Sequence, residues 1–415
     1  MEEKIEISDI LVRFEKYDMA LEVLESLQEE YKDNQDIILR IAKIYEKQGI
    51  IDTSIEKLRE AIDLSPDKGE LYFKLATLFQ KREDYDKCFQ YLNLAIKLGY
   101  ESEKVFFYKG LVFESLNKFE DALRLYNKSL MKNKFYMAPK YRKYALFINR
   151  NMINDGKKVL EDMIENNSDE YDGFSLMYSL EMNIQNYDKA QKVLNKAKMI
   201  FNEYPPLTLD FIKYFISQGE YEKAEEIIQG INEDSEYYVD FIIEKSRILA
   251  IKGEYQEAIS LLSSDDIYEE DNITLLYLLS IFNYFVGNYK SALKYLNNLE
   301  NSDDLKNEYV KYGMLIKGLC LKEIGTDEAV KGYFNKLYRI YKIQSLSNPY
   351  DINTLILRIM TLIEIQDFEK ATDLIHGIEK LDYEKYKKQV DSLKEIINER
   401  KKGAYEISLK DIIKL

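Results

Sequence analysis

The chain has 415 residues, 46% of them hydrophobic and 32% charged, which is more apolar material than one compact core uses and calls for repeats or several domains. Lys and Arg total 59 against 74 Asp and Glu, a net charge of -15 that repels phosphate backbones and argues against nucleic acid as partner. Two cysteines 232 residues apart and a single histidine exclude a disulfide framework and make a zinc site or a serine triad improbable.

The N-terminus is acidic and amphipathic and does not read as a secretory signal. From there a ladder begins: Tyr17, Ile51, Tyr85, Phe119, Ile153, Tyr187, Tyr221, Tyr255 and Tyr289 stand 34 residues apart. Three residues after each comes a small one: Ala20, Ser54, Cys88, Ala122, Gly156, Ala190, Ala224, Ala258 and Ala292. Before each ladder residue runs an apolar stripe at helical spacing, such as Ile38, Ile41, Ala42 and Tyr45, or Tyr72, Leu75, Ala76 and Phe79. Two residues before it stands a helix stop: Gly49, Gly219, Gly253 and Gly287, with Asn117 and Asn151 in two more repeats. Each repeat is therefore expected to be a pair of antiparallel helices. The small residue lets the two helices approach to the ~8–10 Å that close packing needs. Cys88 is thereby explained as a small buried residue. Pro139 and the pair Pro205–Pro206 fall at expected helix starts, where proline is tolerated.

These residues resemble the tetratricopeptide repeat family. The first-helix match is Ile41-Ala42-x-x-Tyr45, Leu75-Ala76-x-x-Phe79 and Gly110-x-x-Phe113; the second-helix match is Tyr85-x-x-Cys88, Phe119-x-x-Ala122 and Tyr187-x-x-Ala190. The family's Trp is absent, its closing Pro appears only at Pro66, and the fifth repeat (Ile153, Gly156, Tyr144) departs most.

After Tyr289 the register shifts. Lys317-Gly318-x-x-Leu321 and Gly325 mark a tenth repeat displaced by four residues, with a long second helix through Phe334, Leu337 and Tyr341. The loop SLSNPYD, residues 345–351, is the best candidate for a hinge, and Phe368-x-x-Ala371 marks an eleventh repeat. The expected organisation is nine repeats over 1–306, two shifted repeats over 307–382, a capping helix over 383–403 and a tail over 404–415 without repeat signature. The expected fold is all-α, an α-solenoid of about eleven hairpins that, by the resemblance, winds into a right-handed superhelix. The densest apolar run, Ile273 to Val286, is too short to span a membrane, and the chain reads as cytoplasmic and without a membrane partner.

No phosphate loop, dinucleotide fingerprint or CxxC occurs, and neither cofactor nor enzyme activity is expected. The resemblance implies a groove lined by the first helices. Its candidate residues are Phe73, Thr77, Phe107, Leu111 and Tyr141 in repeats three to five, Lys213 and Arg247 in the middle with Asp210 and Glu244 nearby, then Tyr277, Ile281 and Tyr284. Further candidates are Ala145, Leu315, Leu319, Ile356 and Met360. Among the residues at which some family members grip a chaperone's C-terminal carboxylate, only Lys43 fits, so that use is not expected. The leading reading is a protein- or peptide-binding scaffold. A peptide-sensing regulator of bacterial type is the alternative, although repeat one begins almost at Met1 and leaves no room before it for an effector module. An enzyme or enzyme subunit is the minor alternative. The partner's identity and self-association are left open.

Overall fold

The computed structural model describes residues 1–264, 266–269, 271–300 and 307–402, with the side chains of 381–385 left aside. Among the described residues the secondary structure is α-helical, and the helices come as hairpins. The tail over 404–415 lies outside the described residues.

The chain forms two compact units. The N-terminal unit spans Met1–Ile148 and Met152–Asn167; the C-terminal unit holds Asn149–Asn151 and runs on from Ser168. The N-terminal unit contains five hairpins: α1 (Glu2–Arg13) with α2 (Tyr17–Glu30), α3 (Gln35–Lys47) with α4 (Ile51–Leu64), α5 (Gly69–Lys81) with α6 (Tyr85–Lys97), α7 (Glu103–Ser115) with α8 (Phe119–Lys132), and α9 (Met137–Ile148) with α10 (Ile153–Asn166). The C-terminal unit continues with α11 (Asp172–Asn183) and α12 (Tyr187–Lys198), α13 (Pro205–Ser217) and α14 (Tyr221–Gln229), α15 (Tyr238–Lys252) and α16 (Tyr255–Leu262), and α17 (Ile273–Phe285) and α18 (Tyr289–Glu300). It ends with α19 (Glu308–Ile324) and α20 (Asp327–Ser347), then α21 (Ile352–Glu364) and α22 (Phe368–Lys401). Every ladder residue is the first residue of a second helix, and Pro205 and Pro206 open α13.

The turn inside each hairpin is closed by one left-handed residue. Gly49, Gly219, Gly253 and Gly287 have φ between 75° and 88°, and Asn117 and Asn151 both have φ 56°. Glu15, Glu83 and Gln185 hold the same register with φ 57°, 62° and 58°, and Gln366 repeats it before the last hairpin. The backbone demand is thus met at all nine positions of the ladder, by non-glycine residues where the sequence shows no stop. Helix starts are capped by side chains: Asn34, Asp84, Asn272, Asn307, Asp351 and Asp367 each accept from an amide in the first turn.

The small residues are buried as expected, Cys88 and the alanines of the register with no exposure at all. A second size match lies sixteen residues apart, between the first and second helix of a hairpin. Ala42 pairs with Leu58 and Ala76 with Leu92, but Gly110 faces Tyr126 and Gly318 faces Phe334. Where the second helix sends a ring across, the first gives up even a methyl group.

After the shift in register, α19 ends before Gly325 and α20 runs on to Ser347. Of the segment expected as a loop, 345–347 are the end of α20 and 348–351 are a short connection, tied down on both sides: Lys311 donates to Asp351 and Thr354, and Arg358 donates to Ser345. The segment expected as a separate capping helix is the second half of α22, which is one helix of 34 residues. The sequence between Ala371 and Val390 has no proline and only Gly377 to break it, so the helix runs on. Ile375, Ile378, Val390, Leu393, Ile396 and Ile397 keep its apolar face buried along the way.

Candidate functional site

The ten residues expected along the groove have three different fates. Phe73, Tyr277 and Ile281 are core residues, the last two with no exposed surface, and they present nothing to a partner. Leu315, Leu319, Ile356 and Met360 are buried too. The reason is aromatic crowding. Phe73 packs on Tyr100 and edge-on to Tyr108 at 5.4 and 5.5 Å, and Tyr277 lies 4.9 Å from the Tyr309 ring.

Phe107, Leu111, Tyr141 and Tyr284 are half-buried. Phe107 touches Tyr108, Tyr126 and Tyr136 at ring distances of 5.4–5.9 Å, so its ring fills the first-helix face of repeat four from within. Beside it the Tyr126 hydroxyl donates to Glu114 at 2.5 Å, and Arg142 pairs with the same carboxylate. Tyr284 stacks among Phe285 and Tyr289. Arg247 is held in place: its Nη2 donates to the Tyr309 hydroxyl at 2.9 Å, and Glu244, itself buried, lies 3.6 Å from its Nε. Nearby Asp210 is buried and accepts from the hydroxyls of Tyr171 and Ser175 at 2.7 and 2.9 Å; burial pushes its carboxyl above the usual value. Lys213 stands exposed.

Thr77 lies on an open groove. That groove, about 690 Å³, runs between the first helices α1, α3 and α5 of the N-terminal unit. Its lining includes half-buried Val12, Leu39 and Thr77, and the charges Arg13, Arg40, Lys43, Lys47 and Lys74 against Asp9, Asp36 and Glu46. Arg40 bridges α1 and α3, donating to Asp9 at 2.6 Å and to Asp36 at 2.8 Å; the Asp36 hydrogen bond is the main reason its guanidinium is held even more firmly protonated than usual. Lys74 pairs with Glu70, and Lys47 lies over the Tyr17 ring. Arg13 and Lys43 are exposed, and among the described residues neither has an acidic partner. A shallower hollow of about 340 Å³ continues past Asp36, Asp67 and Glu70. The lining therefore carries five basic side chains against three acidic ones, beside apolar Val12 and Leu39.

The sequence carries a signal for this place. Thr77 minus one period is Lys43, and minus two is Asp9, and both line the groove. The aromatic residues of repeats three to five point the expectation toward the later repeats, but those rings occupy the space themselves. In repeats one and two the same face carries Asp9, Leu39 and Lys43, which leave it open.

Among the described residues no group of three or more His, Cys, Asp and Glu is placed to hold a metal ion, and no helix is long and apolar enough to cross a membrane. Burial pushes the thiols of Cys88 and Cys320 up to about 12, which leaves them inert as nucleophiles at neutral pH.

No family model and no curated protein matches the chain. Solved structures do resemble it. A tetratricopeptide repeat protein from Parabacteroides merdae is 15% identical over 60% of this chain and 98% of its own, with a TM-score of 0.42. PilF of Pseudomonas aeruginosa is 16% identical over 53% of this chain and 96% of its own, at 0.39. YrrB, described as a tetratricopeptide repeat protein with an unusual peptide-binding site, is 17% identical over 44% of this chain and 95% of its own, at 0.31. The helical hairpins, the left-handed stop at one register and the buried small residue three places into each ladder helix give this chain an all-α fold of helical hairpins, the fold that the tetratricopeptide resemblance implies.

Proposed function

We propose that the chain is a non-enzymatic docking scaffold, and that the groove between α1, α3 and α5 takes an extended protein segment. The observation that carries this reading is the pair Arg13 and Lys43. Both stand exposed in the groove lining, beside apolar Val12 and Leu39, in a chain whose net charge is -15, without the acidic partners that most other groove charges have. A segment with carboxylates at Arg13 and Lys43 and an apolar side chain over Val12 and Leu39 satisfies both features at once.

The test is affinity capture of the intact chain's partners from its native cell extract, compared with a variant carrying Arg13→Glu and Lys43→Glu. Both side chains are exposed, so the variant keeps the parent's helix content and melting point. A partner retained by the parent and lost by this variant supports the reading; a partner set unchanged by both substitutions removes the groove from it. Phe107→Glu is unsuited to this purpose, because the ring it removes packs the hairpin itself.

A further inference from the structure

The fifth repeat departs from the family pattern, and the structure shows what the departure builds. Lys140 and Lys143 occupy first-helix positions whose counterparts one or more periods away are mostly apolar: Ile38, Tyr72, Phe106 and Phe174 for the first, and Ile41, Leu75, Met177 and Phe211 for the second. A core position filled by an ammonium needs partners. Lys140, 1% exposed, has them: its Nζ donates to Asn167 Oδ1 and pairs with Asp162 Oδ2, each at 2.8 Å, and Asn167 in turn donates to the Phe135 carbonyl.

Lys143 has none. It is half-buried and makes neither hydrogen bond nor ion pair among the described residues. One period earlier, Lys109 donates to Asn93 at 2.8 Å and lies over the Phe89 ring; at the matching places Asn127 is not bonded to Lys143, and Leu123 offers no ring. Burial pulls the Lys143 ammonium below its usual value, as it does that of Lys109, with Asp162 partly offsetting the fall and Lys140 adding to it.

Lys143 opens into a groove of about 540 Å³ between α8, α9 and α10. Leu130, Met131, Phe147 and Val159 give it an apolar lining, with Met131 87% exposed. Its charges are Lys134, Lys140, Lys143 and Lys158 against Asp155 and Asp162. Lys158 pairs with Asp155 and Lys140 with Asp162, while Lys134 lies over the Phe135 ring and Lys143 feels Asp162 only at a distance, so neither has a carboxylate paired to it. The lining faces the second-helix side of the repeats and shares no residue with the α1–α3–α5 groove.

We infer that this groove is a second docking site, for an acidic peptide segment whose carboxylate meets Lys143 and Lys134 while a neighbouring apolar side chain covers Met131 and Phe147. Two ammonium groups without a paired carboxylate match one or two carboxylates. The adjoining Asp155 and Asp162 weigh against a multiply charged phosphate, and the net charge of the chain weighs against a polyanion. An exposed methionine is an adaptable apolar surface of the kind used where peptides of varied shape bind.

The experiment is fluorescence anisotropy on the full chain with a labelled decapeptide of alternating Leu and Glu, alongside the same peptide with Gln for Glu and one with phosphoserine for Glu. Lys143→Met and Lys134→Met keep the apolar stems and remove the charges; Lys43→Met serves as the control in the other groove. The inference expects saturable binding of the Glu peptide, weakened about tenfold by Lys143→Met and by Gln for Glu, and changed less than twofold by Lys43→Met. Absence of saturable binding to the parent overturns it. So does equal binding by the Lys143→Met variant, or a preference for the phosphoserine peptide. Loss of binding confined to Lys43→Met places the peptide in the α1–α3–α5 groove and also overturns it, while leaving the scaffold reading intact.

Discussion

Gly110→Ala adds one methyl group to α7 and tests whether ring and glycine are matched as a pair. A Cβ at Gly110 would stand 2.6 Å from Tyr126 Cδ1 and closer still to Cε1, against the ~3.5–4.0 Å of an unstrained carbon contact, so the ring must retreat by about 1 Å. The ring has nowhere easy to go. It has no exposed surface, its hydroxyl is bonded to Glu114 at 2.5 Å, and Phe107 lies against it at 5.9 Å. Overpacking of this kind costs about 1–3 kcal/mol, and losing a hydrogen bond to a carboxylate about 1.5–3. Replacing a helical glycine by alanine returns about 0.8–1 kcal/mol. The net is a loss of about 1.5–5 kcal/mol localised to the α7–α8 hairpin.

Global unfolding of a repeat array is a poor gauge of such a local change, so native-state amide exchange is the assay, followed on peptides from α7 and α8. The expected effect is a fall in protection of about tenfold or more, since ~1.4 kcal/mol corresponds to a factor of ten. Tyr126→Leu should reverse the sign of the substitution. It recreates the Ala76–Leu92 pairing of the preceding repeat, and in that background Gly110→Ala should raise protection through helix propensity alone. If Gly110→Ala leaves protection within threefold of the parent, or costs the same with Leu at 126, the size-matching argument is wrong.

Three further outcomes follow from the same geometry. Glu83→Gly and Gln185→Gly relieve left-handed residues where the glycines of that register have nothing within 4 Å of a built Cβ; each should stabilise its hairpin by about 0.5–1 kcal/mol in amide exchange, and a loss would show that these side chains hold the turn. Burial pushes the Asp351 carboxyl up, but hydrogen bonds from the Thr354 hydroxyl and amide and from the Lys311 ammonium outweigh it and hold it below its usual value. A carboxyl lowered in the folded state gives stability that is complete above its unfolded value of about 3.9 and lost as the pH falls through the folded one; protection of the α21 start should therefore drop on acidification in the parent and change less in Asp351→Asn. Neither Cys88 nor Cys320 should be alkylated by iodoacetamide in the native chain at pH 8, as read by intact mass; rapid labelling would contradict their burial.

What the sequence makes legible is what repeats. The 34-residue interval places every second-helix start from Tyr17 to Tyr289, because the hairpin turn needs one left-handed residue and the helix packing needs one small one, each at a fixed distance. Glu15, Glu83 and Gln185 escape notice because their strain is held by the rest of the hairpin and leaves no glycine behind. The continuity of α22 is hidden for a related reason: a helix that runs through an expected boundary is marked only by the lack of a breaker between Ala371 and Val390. The groove is less legible than the fold. Whether a first-helix side chain faces solvent depends on the size of its neighbours from two other helices, and a single position does not carry that. Phe107 and Thr77 both stand one step off the stripe, yet one is enclosed by Tyr108, Tyr126 and Tyr136 while the other opens onto a groove.

The register also lets the repeats serve as controls for one another. At the position of Phe107 the chain carries Leu39, Phe73 and Tyr141 in neighbouring repeats, so the first-helix face is open where the residue is small and closed where it is a ring. At the position of Lys143 it carries Lys109 one repeat earlier, with a hydrogen-bonding Asn93 and an aromatic Phe89 that Lys143 lacks. A fold that only had to stack hairpins could repeat the better-satisfied arrangement, and the fourth repeat shows that it fits the same backbone. Leaving an ammonium half-buried and unpaired in the fifth repeat costs stability that the fourth avoids. Binding an acidic segment would supply the missing partner, so the same departure that weakens the free repeat would strengthen the bound one.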